Sequence, residues 1–250
     1  MEKSKNIENF LMVLLLSGLP LLIGACSNNK TLKPKLLLAT VNNNMTALEN
    51  FDDCSAESFN VRYWSGNTIL HLAADKNVDG DVVNFLVNHN ADIINLVNDY
   101  QETALMRGAF FGSLKVVETL ACKANIDVNA KDSEGKTALM KAASENKLDI
   151  VKCLLRNNAA INAKDAIDRN TALHYAAQMG NIDIVKHLVC RECDVEALNL
   201  MDESAKDLAE MWNNNEISNY LGKIRVNVLY LVYHLVLFFI VPSESKDFTL

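Results

Sequence analysis

Runs of basic residues are what this sequence most plainly lacks. Its 250 residues carry 31 acidic and 24 basic side chains, a formal charge of −7, and lysine and arginine occur only singly or in scattered pairs. Phosphate binding needs clustered cations, so the chain is not built for a nucleic-acid partner. Glycine (9) and proline (3) are scarce too, which argues against a turn-rich all-β domain and against a long flexible linker. A glycine-rich phosphate loop, a nucleophile elbow and a metal-protease helix are all missing, and the carboxylates are scattered. Nothing in the sequence points to an enzyme, a cofactor, a bound metal or a small-molecule substrate. What is present is an apolar half of the chain, enough for one or two domains with a proper core.

The amino end has three zones. Met1 to Asn9 is polar and contains Lys3 and Lys5, Phe10 to Ile23 is nearly unbroken apolar, and Gly24-Ala25 precede Cys26. That is the layout of a secretory signal, with an apolar core too short for a comfortable membrane span. Ile23-Gly24-Ala25-Cys26 resembles the lipobox of bacterial lipoproteins. The resemblance implies cleavage before Cys26, lipidation of that cysteine, and a protein held at the cell envelope by two or three acyl chains. The rest divides into a linker over 26–60, a repeat domain over 61–222 and an apolar tail over 223–250.

Self-similarity is the clearest signal. "NTILHLAAD", "ETALMRGAF", "KTALMKAAS" and "NTALHYAAQ" align without gaps, and Thr68, Thr103, Thr137 and Thr171 stand 35, 34 and 34 residues apart. Each threonine is placed to cap a helix. A second apolar helix follows in each copy, with Val82-Val83, Val116-Val117, Ile150-Val151 and Ile184-Val185 leading to Leu86, Leu120, Leu154 and Leu188. "DVNAKD" and "INAKD" recur after it, a degenerate copy runs from Glu203 to Leu221, and "KLLLATVNNNMTALENF" reads as a truncated first copy closed by Asn60–Tyr63. One such unit cannot bury its apolar face alone, whereas a stack can.

These motifs resemble the ankyrin repeat family over roughly Val61 to Leu221. The resemblance implies an all-α fold, an α-solenoid of four to five repeats with short hairpin turns. The family's proline is Ile69, Ala104, Ala138 and Ala172 here, and its inter-helix glycine survives as Gly112 and Gly180 but is Asn77 and Asn146 elsewhere. A family period of about 33 residues places single insertions near Gly80, Asn125 and Ile167.

In the family, partners lie against hairpin tips and the exposed side of the first helices. Carried over position by position, the tips are Tyr100, Gln101 and Glu102, then Ser133, Glu134 and Lys136, then Ile167, Asp168 and Arg169. The helix positions are Arg107, Phe110, Lys141, Ser144, Tyr175 and Gln178. Tyrosine and arginine dominate interface hot spots, so replacing Tyr100, Arg107 and Tyr175 is expected to abolish binding while leaving melting unchanged. Phe110 has a second reading, packing against a neighbouring repeat.

His71 and His174 read as structural, because Met106 and Met140 hold the same place in the other copies. His187, Cys190 and Cys193 fan across about 120° of a helix with no fourth ligand near, so packing is the reading, with a thiol or redox pair at Cys190 and Cys193 as the rival. Setting Cys26 aside leaves five cysteines, an odd set that does not suit a disulfide scaffold. The tail from Val226 to Val241 is a capping helix, a short membrane segment or an unselected extension. The overall expectation is a non-catalytic module that binds an unknown protein partner on its concave face, exported and lipid-anchored. A host-directed ankyrin effector is the alternative.

Overall fold

The computed structural model describes residues 34–51 and 56–224. Cys26 and its apolar leader, Cys54 and the segment 226–241 lie outside the described residues. The helices come in pairs. A short pair, α1 (Pro34–Val41) and α2 (Met45–Glu49), is followed by the turn helix α3 (Ala56–Phe59). Four full pairs follow: α4 (Ile69–Lys76) with α5 (Gly80–His89), α6 (Ala104–Phe111) with α7 (Leu114–Ala121), α8 (Ala138–Ser144) with α9 (Leu148–Arg156), and α10 (Ala172–Gln178) with α11 (Ile182–Cys190). A last pair joins α12 (Ala205–Met211) to α13 over 215–224. Among the described residues there are isolated β-bridges but no strands, and no helix is long and apolar enough to cross a membrane.

Four of the first helices start where a hydroxyl residue dictates. The Thr103, Thr137, Thr171 and Ser204 oxygens accept the N–H three residues on, at 3.3, 3.4, 3.5 and 3.3 Å, each cap contributing about 1 kcal/mol. Each first helix is followed by a left-handed residue that turns the chain: Asn77 (φ 51°), Gly112 (86°), Asn146 (55°), Gly180 (79°) and Asn213 (60°). Asparagine tolerates that conformation better than other residues with a Cβ, so the two missing glycines leave the turn intact.

Packing is strictly between neighbours. First helices stack α1–α4–α6–α8–α10–α12, second helices stack α5–α7–α9–α11, and one continuous core runs through them. The small residues of the first helices let this happen. A Cβ on Gly108 would meet Val117 Cγ2 at 3.1 Å and Ala74 Cβ at 3.8 Å. In three repeats the residue that opens the second helix also ties down the first helix of the repeat before it. Ser113 Oγ donates to the Ala74 carbonyl, and Asn181 and Asn214 Nδ2 donate to Ala143 and Ala177 carbonyls at 2.8 Å.

The last first helix, α12, carries a polar outer face. The face that meets the next repeat carries Leu70, Leu105, Leu139 and Leu173, then Ala74, Ala109, Ala143 and Ala177 one turn on. The equivalent residues of α12 are Lys206 and Glu210, paired at 2.6 Å, with Ser218 Oγ donating to Glu210 at 2.9 Å. A polar outer face is what a terminal repeat needs.

The insertions sit in turns. The hairpin Asp165–Asn170 closes with Asp165 N–H on the Asn170 carbonyl, whereas Asn98–Glu102 and Asp132–Lys136 close one residue sooner. A further insertion escaped the sequence reading. Leu86 stands twelve residues before Asn98, against eleven from Leu154 to Asp165, and the extra residue is absorbed in the 3₁₀ turn Ala91–Asn95.

Candidate partner-binding face

The hairpins are a single hydrogen-bonded ladder. Asp99, Ser133, Ala166 and Leu200 each donate a backbone N–H to the preceding hairpin, onto the carbonyls of Ser65, Tyr100, Glu134 and Asp168 at 3.0, 3.0, 2.9 and 2.7 Å. Within each hairpin one side chain gathers the amides. Asn98 Oδ1 accepts from Tyr100 and Glu102, Asp132 Oδ1 from Glu134 and Lys136, and Asp165 Oδ1 from Ile167, Asp168 and Arg169. The tips are therefore rigid before anything binds. They hold Tyr100 and Ile167 each 57% exposed, with Gln101 and Arg169 in left-handed backbone at φ 59° and 58°.

The first helices lie under these hairpins and are bonded to them. Arg107 grips Asp75 with two bonds, Nη2 to Oδ2 at 2.6 Å and Nε to Oδ1 at 2.8 Å, and reaches Glu102 at 3.3 Å. Lys141 Nζ lies 2.9 Å from Glu102 and 2.8 Å from Asp132. The chain Asp75–Arg107–Glu102–Lys141–Asp132 thus crosses three repeats, with side chains only 5–21% exposed. Burial acts to raise the pKa of Glu102, but Lys141, Asn98 and Arg107 outweigh it and hold the carboxyl below its ordinary value. At Asp75 burial wins over Arg107, and the pKa is raised. Burial acts to lower Arg107 and Lys141, and their carboxylate partners override it in both.

Tyr175 stands where Arg107 and Lys141 stand in their repeats, and its hydroxyl donates to Asp165 Oδ2 at 3.0 Å. Burial and the nearby carboxylates push its pKa up. Lys136 pairs with Glu134 at 2.7 Å and sits 5.4 Å over the Tyr175 ring. Ser144 Oγ donates to the Lys141 carbonyl at 3.0 Å, and the Gln178 carbonyl accepts from Asn214 at 2.8 Å. Phe110 is 41% exposed and meets Phe111 edge-on at 5.2 Å, with the Arg107 guanidinium 4.8 Å over Phe111.

The fifteen positions read from the sequence therefore lie on the hairpins and first helices, but they divide in two. Tyr100, Gln101, Phe110, Ser133, Glu134, Ile167, Asp168 and Arg169 are exposed. Glu102, Arg107, Lys136, Lys141, Ser144, Tyr175 and Gln178 are half-buried and bonded within the chain. The expectation that losing Arg107 and Tyr175 would leave melting unchanged does not fit these bonds. Asp75, Asp132, Asp165 and Phe111 belong to the face and were not read from the sequence. Asn98, Asp132, Asp165 and Asn199 recur with the repeat period, and that recurrence was the available signal for the two hairpin aspartates.

The histidines are structural. His71 Nε2 lies 2.8 Å from the Glu102 carbonyl, which only accepts, so Nε2 carries the proton and Nδ1 accepts from Thr68 N–H (3.2 Å) and Oγ1 (2.8 Å). His174 bridges Thr171 to the Glu203 carbonyl in the same way at 3.2 Å. Burial lowers both, His71 to about 4. The two thiols of the rival reading sit in unlike surroundings. Cys190 is exposed at the end of α11 while Cys193 is buried, its thiol pushed up to about 11 by desolvation. A raised thiol is a poor nucleophile. Among the described residues no group of three His, Cys, Asp or Glu is placed to hold a metal.

No curated protein matches the chain. The family model for ankyrin repeats, three copies long, matches residues 22–132 and 124–199. With the match spanning most of the chain and the helix pairs stacked in register, this protein belongs to the ankyrin repeat family.

Proposed function

We propose that the chain is a protein-binding module that captures one partner on the face formed by its hairpin tips and first helices, and is held at a bacterial envelope through lipidated Cys26. Ankyrin repeats are in general non-catalytic interaction modules. The observation that carries the choice of face is its pre-ordering. The backbone ladder and the Asp75–Asp132 ion chain fix the surface in advance, while Tyr100, Phe110 and Ile167 are left exposed upon it. A rigid surface limits the entropy lost on association.

The face is tested by placing a photo-crosslinking residue at Ser133, and separately at Glu118 on the outer side of α7, in cells producing the full chain. A protein adduct from position 133, lost when Tyr100, Phe110 and Ile167 are all alanine, supports the reading. Adducts from position 118 alone would overturn it. The anchor rests on the Ile23–Cys26 motif. Acyl label that disappears in Cys26→Ser, on a mature chain beginning at Cys26, supports it. A chain still beginning at Met1 would reject it and favour the host-directed alternative.

A further inference from the structure

The exposed apolar side chains form two rows, and both rows break at the same repeat. Along the C-terminal ends of the first helices stand the polar Asp75 and Lys76, then Phe110 and Phe111, then Ser144 and Glu145, then Gln178 and Met179, then Met211 and Trp212. The five apolar members are all more than 40% exposed. Along the tips, Tyr100 and Ile167 flank Ser133 and Glu134, and Leu200 and Met201 stand exposed at the last tip. The repeat of α8 and α9 is thus polar in both rows, with apolar patches on either side.

Charge selects what crosses that gap. Three cations of this face are already held, Arg107 by Asp75 and Glu102, Lys141 by Glu102 and Asp132, and Lys136 by Glu134, and the exposed Arg169 follows the exposed Asp168 at its tip. The ion chain alone has three carboxylates to two cations, and Asp99 and Asp202 stand exposed at flanking tips. A partner gains by bringing a cation, and an anion there would meet carboxylates. The patches are two helix spacings apart, from α6 to α10, or about 16–20 Å at 8–10 Å per spacing. An extended chain covers that distance in about five or six residues at roughly 3.3 Å each.

We propose that the face binds an extended cationic segment of its protein partner, with one apolar cluster on Phe110 and Phe111, a lysine or arginine over Ser144 and Glu145, and a second apolar cluster on Met179 and Trp212. This rests on the protein-binding reading above and adds the chemistry of the partner.

The probe is a displayed library of random twelve-residue peptides selected on the full-length chain. One enriched peptide is then titrated by fluorescence anisotropy against wild type, Phe110→Ser/Phe111→Ser, Met179→Ser/Trp212→Ser and Glu145→Lys. Enriched sequences should carry apolar–basic–apolar patterns. Each serine pair should weaken binding at least ten-fold, Glu145→Lys several-fold and more at low salt, all with unchanged circular dichroism. Acidic or single-cluster consensus sequences would overturn the proposal, as would wild-type affinity in both serine-pair variants. Peptides that need Tyr100 and Ile167 but ignore both serine pairs would overturn this inference and leave the binding face standing. Peptides that map to α7 and α9, or no enrichment at all, would overturn the face as well. Self-association in sedimentation that Phe110→Ser/Phe111→Ser abolishes would replace the peptide by a second copy of the chain.

Discussion

At the two ends of the regular array the third residue of the first helix is histidine, His71 and His174, while in the two repeats between them it is methionine, Met106 and Met140. Each imidazole caps its own helix on one side and donates to a carbonyl of the next repeat on the other. A thioether has no proton to donate. At the Met106 junction the link between repeats is ionic, through Lys141 and Glu102. The His71 junction carries both kinds, the neutral imidazole bridge and the Arg107–Asp75 pair beside it. Acid attacks the imidazole bridge by adding a charge, and loss of Glu102 attacks the ionic link by leaving two cations one partner short.

The largest expected effect is acid loss at the histidine junctions. The folded-state pKa of His71 is about 4, below the ordinary value of about 6.5, so between those values the unfolded chain binds the proton that the folded chain refuses. The stability His71 contributes is complete above about pH 6.5 and falls away as the pH drops towards 4, by about 3 kcal/mol at the lower end. His174 adds to this in the same direction. Urea midpoints of wild type and His71→Met at pH 7.5 and pH 4 measure it. The variant, which installs what Met106 and Met140 already are, should show a shallower slope. Parallel slopes would remove His71 as the cause.

The central junction should break at Glu102. Its carboxylate touches Arg107 and Lys141, and removing it leaves two largely buried cations short of a partner. Glu102→Ala is expected to cost about 2–3 kcal/mol, the low end for a broken buried pair because water still reaches the cluster. The urea midpoint at pH 7.5 reports it. A loss below about 0.5 kcal/mol would reduce the chain Asp75–Asp132 to an ordinary surface pairing.

Sequence spacing carried the fold well and the face less evenly. Thr68, Thr103, Thr137 and Thr171 mark the helix starts by a local rule, a hydroxyl capping the N–H three residues on, and local rules are legible in sequence. The turns at Asn77 and Asn146 are legible for the same reason. The bonds of Arg107 and Lys141 are not. Asp75 lies 32 residues before Arg107 and Glu102 lies 39 before Lys141, so only the stacking of repeats brings each pair together. Read alone, Arg107 and Tyr175 look like free anchors. In the fold, Arg107→Ala and Tyr175→Ala should each lower stability by about 1–2 kcal/mol, while Tyr100→Ala stays within about 0.5 kcal/mol. Equal melting of all three variants would restore the sequence reading.

The smallest effect separates two tips of the hairpin ladder. Gly135 (φ 77°) and Arg169 (φ 58°) hold the same left-handed place in successive hairpins. A Cβ at Gly135 would lie 2.4 Å from the Ala166 amide nitrogen, so glycine is obligatory there and Gly135→Ala must push two hairpins apart. Arg169 already carries a Cβ in that conformation, at a backbone cost of about 1–2 kcal/mol. Glycine would relieve that strain but give back about 0.5–1 kcal/mol through the freedom of the unfolded chain. Arg169→Gly should therefore raise stability by about 0.5 kcal/mol, and Gly135→Ala should lower it by more than that. Thermal melting of the two variants side by side decides it, and a fall in both would mean that the arginine side chain holds its hairpin by contacts stronger than the strain it carries.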